Sequence, residues 1–390
     1  MRRFALAAVL VVIGTVASVA RSEAAGGPTW TLQPTPTPNA PAGGGDLLGV
    51  SCPSSTDCVA VGFDAGLLSE TWNGAKWTVH PVSVPAGALG DALQGVSCPS
   101  TSMSGCTAVG AYSEQGSGNE ATLAERWTNG HWVIQPTPPT TGGTNGTATF
   151  LAVDCLKAAD CLAVGTDGFA NSGQSATLVE QWNGTSWAVV PSPTPSGFAW
   201  SVLNSVSCSS RTSCIAVGYS QPSSGGSQFM LAEGWNGVAW TMLTIPEPAG
   251  ATQSSLESVS CAPASGCVAV GAATIAGTDI QSLAEGWDGS QWTIEPMPSL
   301  SAPELNGISC PAPGVCTAVG SYGTSGATGE PLAEGWNGTT WSVESTPNPS
   351  GRTMAWFFGA SCVSTVSCEA VGFSLDKNAH SHTLAEDETG

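Results

Sequence analysis

The chain has 390 residues, and its 29 acidic residues against 9 basic ones give a formal charge of −20 at pH 7. So acidic a surface repels phosphate backbones and anionic lipid headgroups, and we therefore expect no nucleic-acid partner. Glycine (49 residues) and proline (27 residues) are abundant while only 10% of the residues are charged, a composition that favours an all-β protein of short strands.

The first segment, residues 1–24, has the features of a secretory signal peptide. It starts with Arg2 and Arg3, continues with an apolar run and ends in small residues. After this segment no stretch is apolar over the length that a membrane-spanning helix needs. We therefore expect a secreted, extracellular, monomeric protein with no membrane span after cleavage.

Fourteen cysteines follow in seven pairs, whose leading members are 46 to 57 residues apart. In an exported chain this pattern predicts disulfides, each joining two neighbouring strands across a short loop. Since no histidine accompanies the pairs, we predict neither a metal site nor a cofactor. The predicted disulfides are Cys52–Cys58, Cys98–Cys106, Cys155–Cys161, Cys208–Cys214, Cys261–Cys267, Cys310–Cys316 and Cys362–Cys368.

Each cysteine pair belongs to a repeat of four strand-like runs. The first run ends at the leading cysteine, the second starts at the trailing cysteine, the third contains Leu-x-Glu-x-Trp, and the fourth begins at a second tryptophan. Four antiparallel strands at this period are typical of a β-propeller blade. We therefore predict a seven-bladed β-propeller with four antiparallel strands per blade, as a single domain over residues 28–390. The predicted blades are 47–85, 93–139, 150–195, 203–248, 256–299, 305–349, and 357–390 together with 28–38.

The two chain ends complement each other. The last repeat stops at Gly390 without a tryptophan-bearing fourth run. Residues 28–38 (PTWTLQPTPTP) match the end of the sixth repeat, TTWSVESTPNP at 339–349. We therefore expect the N-terminal segment to be the missing strand of the last blade, because this arrangement hides both strand edges at the seam.

Two repeated features are interpreted as structural. Tight turns such as WNGAKW at 72–77 bring two tryptophans together across a hairpin, and we expect the pair to pack between blades. A ring of sugar-stacking tryptophans is the alternative. One glutamate per repeat shares a strand face with packing residues, and we expect it to accept a hydrogen bond from the same kind of donor each time. These glutamates are Glu70, Glu125, Glu180, Glu233, Glu285, Glu334 and Glu386.

Function is therefore sought where the repeats differ. The loops between second and third strands and the crossovers between repeats are long and varied, and they emerge on one face of the ring, which we call the variable-loop face. Trp200 and Trp356 lie outside the repeated strands, accompanied by Phe198 and Arg352. We predict that these four residues bind a ligand; the alternative is that they cover the core.

The resulting hypothesis is a secreted, non-enzymatic binding or adhesion scaffold that holds a glycan or a protein on the variable-loop face. No catalytic residue is assigned, since no spacing typical of a catalytic triad or a phosphate-binding loop is present. The alternative is a carbohydrate-active hydrolase or lyase that uses unrepeated carboxylates of that face. Those candidates are Glu114, Glu120, Asp167, Asp279 and Glu330.

Two resemblances accompany this interpretation. In EGWNGTTW, Gly338, Thr340 and Trp341 resemble the Asp-box of sialidase-like propellers, but Trp336 stands where the defining aspartate belongs. A sialidase would need an arginine triad and a tyrosine nucleophile, and the few arginines and tyrosines here offer no such site. The repeats, such as SCPSSTDCVAVG, also look like those of secreted actinobacterial proteins over the whole mature chain, and that likeness implies no activity.

Overall fold

A computed structural model describes most of the chain from residue 28 onward, and every regular element in it is a β-strand. No helix in this part is long and apolar enough to cross a membrane. The predicted signal peptide, residues 1–24, lies outside the described residues. The described residues are 28–37, 44–99, 102–116, 119–139, 146–169, 174–222, 226–262, 266–277, 279–323 and 329–389.

The strands follow the repeats in sets of four, and the last set is completed by the first strand of the chain. Their bounds are β1 Thr29–Gln33; β2 Asp46–Ser54, β3 Asp57–Phe63, β4 Leu67–Trp72, β5 Trp77–His80; β6 Ala88–Ser97, β7 Thr107–Glu114, β8 Glu120–Thr128, β9 His131–Gln135; β10 Thr147–Lys157, β11 Asp160–Phe169, β12 Gln174–Trp182, β13 Trp187–Val189; β14 Trp200–Ser210, β15 Ser213–Gln221, β16 Phe229–Trp235, β17 Trp240–Met242; β18 Ala251–Cys261, β19 Cys267–Ile275, β20 Asp279–Trp287, β21 Trp292–Glu295; β22 Glu304–Ala312, β23 Val315–Tyr322, β24 Glu330–Trp336, β25 Trp341–Glu344; β26 Arg352–Ser364, β27 Ser367–Asp376 and β28 Ser381–Thr389.

The all-β propeller is confirmed, but the prediction of a seven-bladed propeller with four antiparallel strands per blade is wrong. Five four-stranded sheets stand alone, whereas the second and third repeats form one eight-stranded sheet. The joint is a parallel pairing of β8 with β10 at Glu120 and Thr147. At this joint the Glu120 backbone amide donates to the Gly146 carbonyl, and the Glu120 carboxylate accepts from the Thr149 hydroxyl.

The N-terminal strand closes the last sheet, as the sequence predicts. β1 pairs antiparallel with β28, from Thr29 opposite Thr389 to Gln33 opposite Ala385. Trp30 of β1 is 4% exposed, and its indole donates to Glu344 of the preceding repeat at 2.9 Å. The strand thus joins the two chain ends and also packs on the neighbouring sheet.

The first strand of each repeat lies innermost, and a chain of hydrogen bonds runs from each inner strand to the next. The side chain before each leading cysteine accepts a hydrogen bond from the backbone amide of the leading cysteine in the following repeat. Ser361 of the last repeat accepts from Cys52 of the first, which closes the circle of hydrogen bonds. Six acceptors are serine hydroxyls; the third repeat uses Asp154, which accepts from Cys208 at 2.6 Å. The other pairs are Ser51–Cys98, Ser97–Cys155, Ser207–Cys261, Ser260–Cys310 and Ser309–Cys362.

The core lies between neighbouring repeats. Trp77, for example, packs with Leu47 and Leu68 of its own repeat and with Val371 and Ala385 of the last repeat. The paired tryptophans of each hairpin are in contact, with ring centroids 5.2 to 5.8 Å apart. The second tryptophan of every pair is 3 to 6% exposed. The expectation that the tryptophans pack between repeats is confirmed.

All seven predicted disulfides are present, and none of the described cysteines is free. Six of them link the innermost strand of a repeat to its second strand, and Cys98–Cys106 joins the residues just after β6 and just before β7. Their Cα atoms are 3.9 to 4.1 Å apart. By the loop-entropy estimate, a disulfide closing so short a loop contributes on the order of 2 kcal/mol.

We predict that the seam strand contributes strongly to stability. Trp30→Ala removes a buried indole and should lower the free energy of unfolding by about 3–5 kcal/mol in urea titrations. Leu32→Ala is the matched control on the same strand, because Leu32 is 36% exposed and its truncation should cost about 0.5 kcal/mol. Equal losses for the two variants would contradict the role of Trp30 in closing the ring.

Candidate functional site

Every inner strand carries a β-bulge at the same position. The pairing with the second strand skips one residue, as between Leu203 and Ser205 of β14, so that Asn204 has no partner across the ladder. A bulge leaves the extra residue unpaired and re-aims its side chain. We call the seven bulged residues the bulge ring: Leu48, Gln94, Leu151, Asn204, Glu257, Asn306 and Phe358.

A glycine in the second strand makes each bulge possible. In the fourth repeat a Cβ on Gly218 would lie 2.0 Å from the carbonyl oxygen of Val202, so only glycine fits. The equivalent glycines of the other repeats meet the same obstacle at 1.8 to 2.1 Å. The glycine that follows Ala-Val in the second run therefore determines where the bulge falls and which side chain it presents.

The bulge ring lines a central channel with a cavity of about 270 Å³, to which all seven inner strands contribute. The inner strands run from the crossovers toward the cysteine hairpins. The bulge ring therefore lies nearer the variable-loop face, and the ring of serine hydroxyls and Asp154 lies about 10 Å further along the strands. The bulge ring is thus the part of the channel that a ligand approaching from the variable-loop face would meet first.

The two sides of the bulge ring differ chemically. Asn204, Glu257 and Asn306 come from three consecutive repeats and are polar. On the other side Phe358, Leu48 and Leu151 are apolar, and the amide of Gln94 lies between the two leucines in repeat order. The Phe358 ring stacks on Phe373 at 5.7 Å and lies 6.4 Å from Trp356 in an edge-on arrangement. One side of the channel is therefore mainly aromatic and aliphatic, with the single amide of Gln94, and the other carries two amides and a carboxylate.

Glu257 is the charged member of the bulge ring, and its neighbours hold it in place. The Asn204 amide donates to the Glu257 carboxylate at 2.9 Å and to the Leu256 carbonyl at 3.0 Å. Burial raises the pKa of Glu257, a hydrogen bond from Ser255 opposes this effect, and the negative charge of Glu304 adds to it. The Tyr219 hydroxyl is close enough that burial and the Glu257 charge both raise its pKa.

A cleft of about 220 Å³ adjoins this side of the channel, between the fifth and sixth repeats. Glu257 and Asn306 line both cavities, and Glu304, Gln228 and Gln253 line the cleft. Two carboxylates and three amides therefore line two adjoining cavities. Such groups can accept hydrogen bonds from hydroxyl, ammonium or guanidinium groups of a ligand and can donate to carbonyl oxygens.

The four aromatic and basic residues predicted to bind fall into two separate groups. Trp200 opens β14 and is 43% exposed, and the nearby Phe198 meets Phe229 edge-on at 6.4 Å. Trp356 and Arg352 lie on β26 of the last repeat, where both are partly buried. The structure does not bring the four together, but it connects Trp356 to the bulge ring through Phe358.

The unrepeated carboxylates singled out for catalysis are dispersed. Glu114 and Glu120 belong to the second repeat, while Asp167, Asp279 and Glu330 belong to three others. Several already have partners: Glu330 accepts from the Tyr322 hydroxyl at 2.7 Å and Asp279 from the Gln281 amide at 2.8 Å. The pair that does line one cavity, Glu257 and Glu304, was missed. Aligning the repeats on the leucine or phenylalanine before the bulge would have found Glu257 as the charged residue at its position.

The repeated glutamates lie inside the repeats, away from this site, and are 0 to 2% exposed. The expectation of one common hydrogen-bond donor is wrong. Ser192 donates to Glu233 at 2.6 Å, whereas neither carboxyl oxygen of Glu70, Glu285 or Glu334 has a partner among the described residues. Burial instead raises the pKa of these groups to about 7 for Glu233, to about 9 for Glu386, and to about 8 for Glu70, Glu125, Glu180, Glu285 and Glu334. They are therefore buried as neutral acids.

Comparison with known proteins shows the fold and no more. No protein-family model matches the sequence, and no curated protein matches it. Among solved structures, "YCF48 bound to D1 peptide" aligns over 93% of this chain and 94% of its own, at 14% identity and a TM-score of 0.51. The WD40 propeller domain of Doa1 aligns over 93% and 97% of the two chains at 8% identity and a TM-score of 0.55. A polysaccharide lyase, the PL25 ulvan lyase, aligns over 88% and 93% at 10% identity and a TM-score of 0.51.

We predict that the protein is more stable in mild acid than in mild alkali. The repeated glutamates are protonated in the folded state up to their raised pKa, but in the unfolded chain they ionise near the ordinary value of 4.5. Their stabilising contribution is complete below that value and is lost as the pH rises toward about 8. The melting temperature should fall by on the order of 10 °C between pH 5 and pH 8.

The matched variants are Glu334→Gln, which keeps the shape and removes the ionisation, and Glu114→Gln at an exposed carboxylate. Glu334→Gln should reduce the fall in melting temperature by the share of one of the seven glutamates, and Glu114→Gln should leave it as in the unmodified protein. A melting temperature that rises from pH 5 to pH 8 would show that the repeated glutamates are not buried as neutral acids.

Proposed function

We propose that this protein is a secreted, non-enzymatic binding scaffold that holds a glycan or protein ligand on its variable-loop face. The observation that carries the proposal is the group of carboxylates and amides that line the polar side of the bulge ring and the adjoining cleft. Its carboxylates and amides are side chains that the scaffold does not require, because other repeats have leucine, phenylalanine or glutamine at the bulge.

Exposed aromatic groups extend this surface. Trp200 and Phe229 are 43% and 38% exposed on the fourth repeat, next to Phe198. Aromatic faces with polar neighbours are suited to sugar rings and to peptide side chains. On the last repeat, Trp356 supports the position of Phe358, and Arg352 supplies a cation on the same strand. We include these four predicted residues in the proposed binding face.

A protein ligand has one additional argument in its favour. The propeller in "YCF48 bound to D1 peptide" is, by that description, one that binds a peptide. With a formal charge of −20, this chain attracts a ligand that carries positive charge.

The alternative function is a carbohydrate-active hydrolase or lyase. Glu257 and Glu304 are unrepeated, line one cleft and interact electrostatically, as paired carboxylates do in glycoside hydrolysis. The ulvan lyase shares the propeller fold at 10% identity. In this alternative, Glu257 with its raised pKa would be the proton donor and Glu304 the base.

The two functions predict different outcomes when the secreted protein is applied to glycan and peptide arrays and incubated with polysaccharides. We expect a retained ligand, and at least a tenfold loss of affinity in Glu304→Gln. We expect no new reducing ends and no unsaturated uronic acids in the polysaccharide incubations.

Asp288→Asn is the matched control, because Asp288 lies in a tryptophan turn on the opposite face and four other repeats have asparagine there. It should bind as the unmodified protein does. If the unmodified protein releases reducing ends or unsaturated uronic acids from a polysaccharide and Glu304→Gln does not, the protein is an enzyme and the scaffold proposal is wrong. If the unmodified protein, Glu304→Gln and Asp288→Asn all retain the ligand equally, the ligand binds outside the cleft that contains Glu304.

A further inference from the structure

We propose that the bulge ring is a recognition site for a single lysine or arginine side chain of a peptide or protein ligand, which enters the channel from the variable-loop face. The alkyl stem would lie along Phe358 and Leu48, and the cationic end would meet the Glu257 carboxylate. This inference rests on the proposed binding function and names the chemical class of the group that is bound.

The size of the channel favours one side chain. Pockets for drug-sized ligands generally measure about 300–1,000 Å³, whereas this cavity measures about 270 Å³ and is shared among seven strands. A long unbranched side chain fits a narrow channel along its axis, and it leaves the rest of the ligand on the variable-loop face. There the cleft with Gln228 and Gln253 can bind the backbone of the ligand.

The chemistry of the bulge ring fits a side chain with an apolar stem and a positive end. Lysine and arginine bury their methylene groups against apolar surface while the charge stays with a polar partner. Phe358 is held rigid by stacking on Phe373 and by the edge of Trp356, and a cation near an aromatic face gains a further attraction. A neutral apolar side chain would leave Glu257 without a partner of opposite charge.

Glu257 is preorganised for this role. The Asn204 amide donates to one Glu257 carboxylate oxygen at 2.9 Å. On the neighbouring repeat, the Asn306 amide donates to the Phe357 carbonyl at 2.9 Å and is also held in place. Glu304 lies close enough to repel the Glu257 charge. Two carboxylates close together favour a cation between or beside them, which relieves their repulsion.

The decisive experiment compares two blocked, fluorescein-labelled peptides, Gly-Ser-Lys-Ser-Gly and the same sequence with norleucine in place of lysine. Norleucine has the same alkyl stem and no charge. Fluorescence anisotropy with the mature protein should show the lysine peptide binding at least tenfold more tightly than the norleucine peptide. Its affinity should fall as salt is added, because part of the attraction is electrostatic.

Three variants locate the site. Glu257→Gln should abolish the preference for lysine, whereas Asp288→Asn, which removes one carboxylate from the opposite face, should keep it. Phe358→Ser should lower the affinity for both peptides severalfold, because the alkyl stems of lysine and norleucine both pack on the aromatic ring of Phe358. Near-ultraviolet circular dichroism checks that each variant is folded, and the isosteric Glu257→Gln retains an acceptor for Asn204.

Equal affinities for the two peptides, absence of binding by the lysine peptide, or a preference that survives Glu257→Gln would each overturn the inference. These outcomes leave the proposed function distinguishable. If arrays still show a ligand whose retention depends on Glu304, the scaffold function stands and only the lysine site is wrong. If no ligand is retained on any array, both fail.

Discussion

The hydrogen bond from each leading-cysteine amide to the serine or aspartate of the preceding repeat is the interaction on which the rest of the structure depends. It is made seven times and joins the last inner strand back to the first. Because both donor and acceptor are partly buried, losing an acceptor would leave an amide without a partner. These seven hydrogen bonds set the distance between neighbouring inner strands. They thereby set the width of the channel and the spacing of the bulged residues that line it.

The repeats combine rigid and variable parts. Disulfides fix the innermost hairpin, indoles fill the space between repeats, and neutral glutamic acids lie buried on the third strands. A glycine opposite each bulge fixes the backbone, but the bulged residue itself is free to vary because its side chain faces the channel. A repeated fold can therefore produce an asymmetric site, with Glu257 on one side and Phe358 on the other.

The candidate site was only partly accessible to sequence reasoning. The sequence indicated that function lies with unrepeated residues near the variable-loop face, and it singled out Trp356, which packs on the bulge-ring residue Phe358. It did not identify Glu257 or Glu304. A bulge is invisible in an alternation pattern, so the direction of the Glu257 side chain follows from the register and not from its neighbours in the chain.

The all-β propeller, the cysteine pairing and the closing N-terminal strand, Thr29–Gln33, follow from repeat spacing and from a missing fourth strand, so the sequence alone predicts them. The merging of the second and third repeats into one sheet is visible only in the tertiary structure, where Glu120 of β8 pairs with Thr147 of β10. Only the tertiary structure decided that the repeated glutamates have no common donor and are buried as neutral acids. Contacts between repeats depend on distances across the ring, which no local pattern specifies.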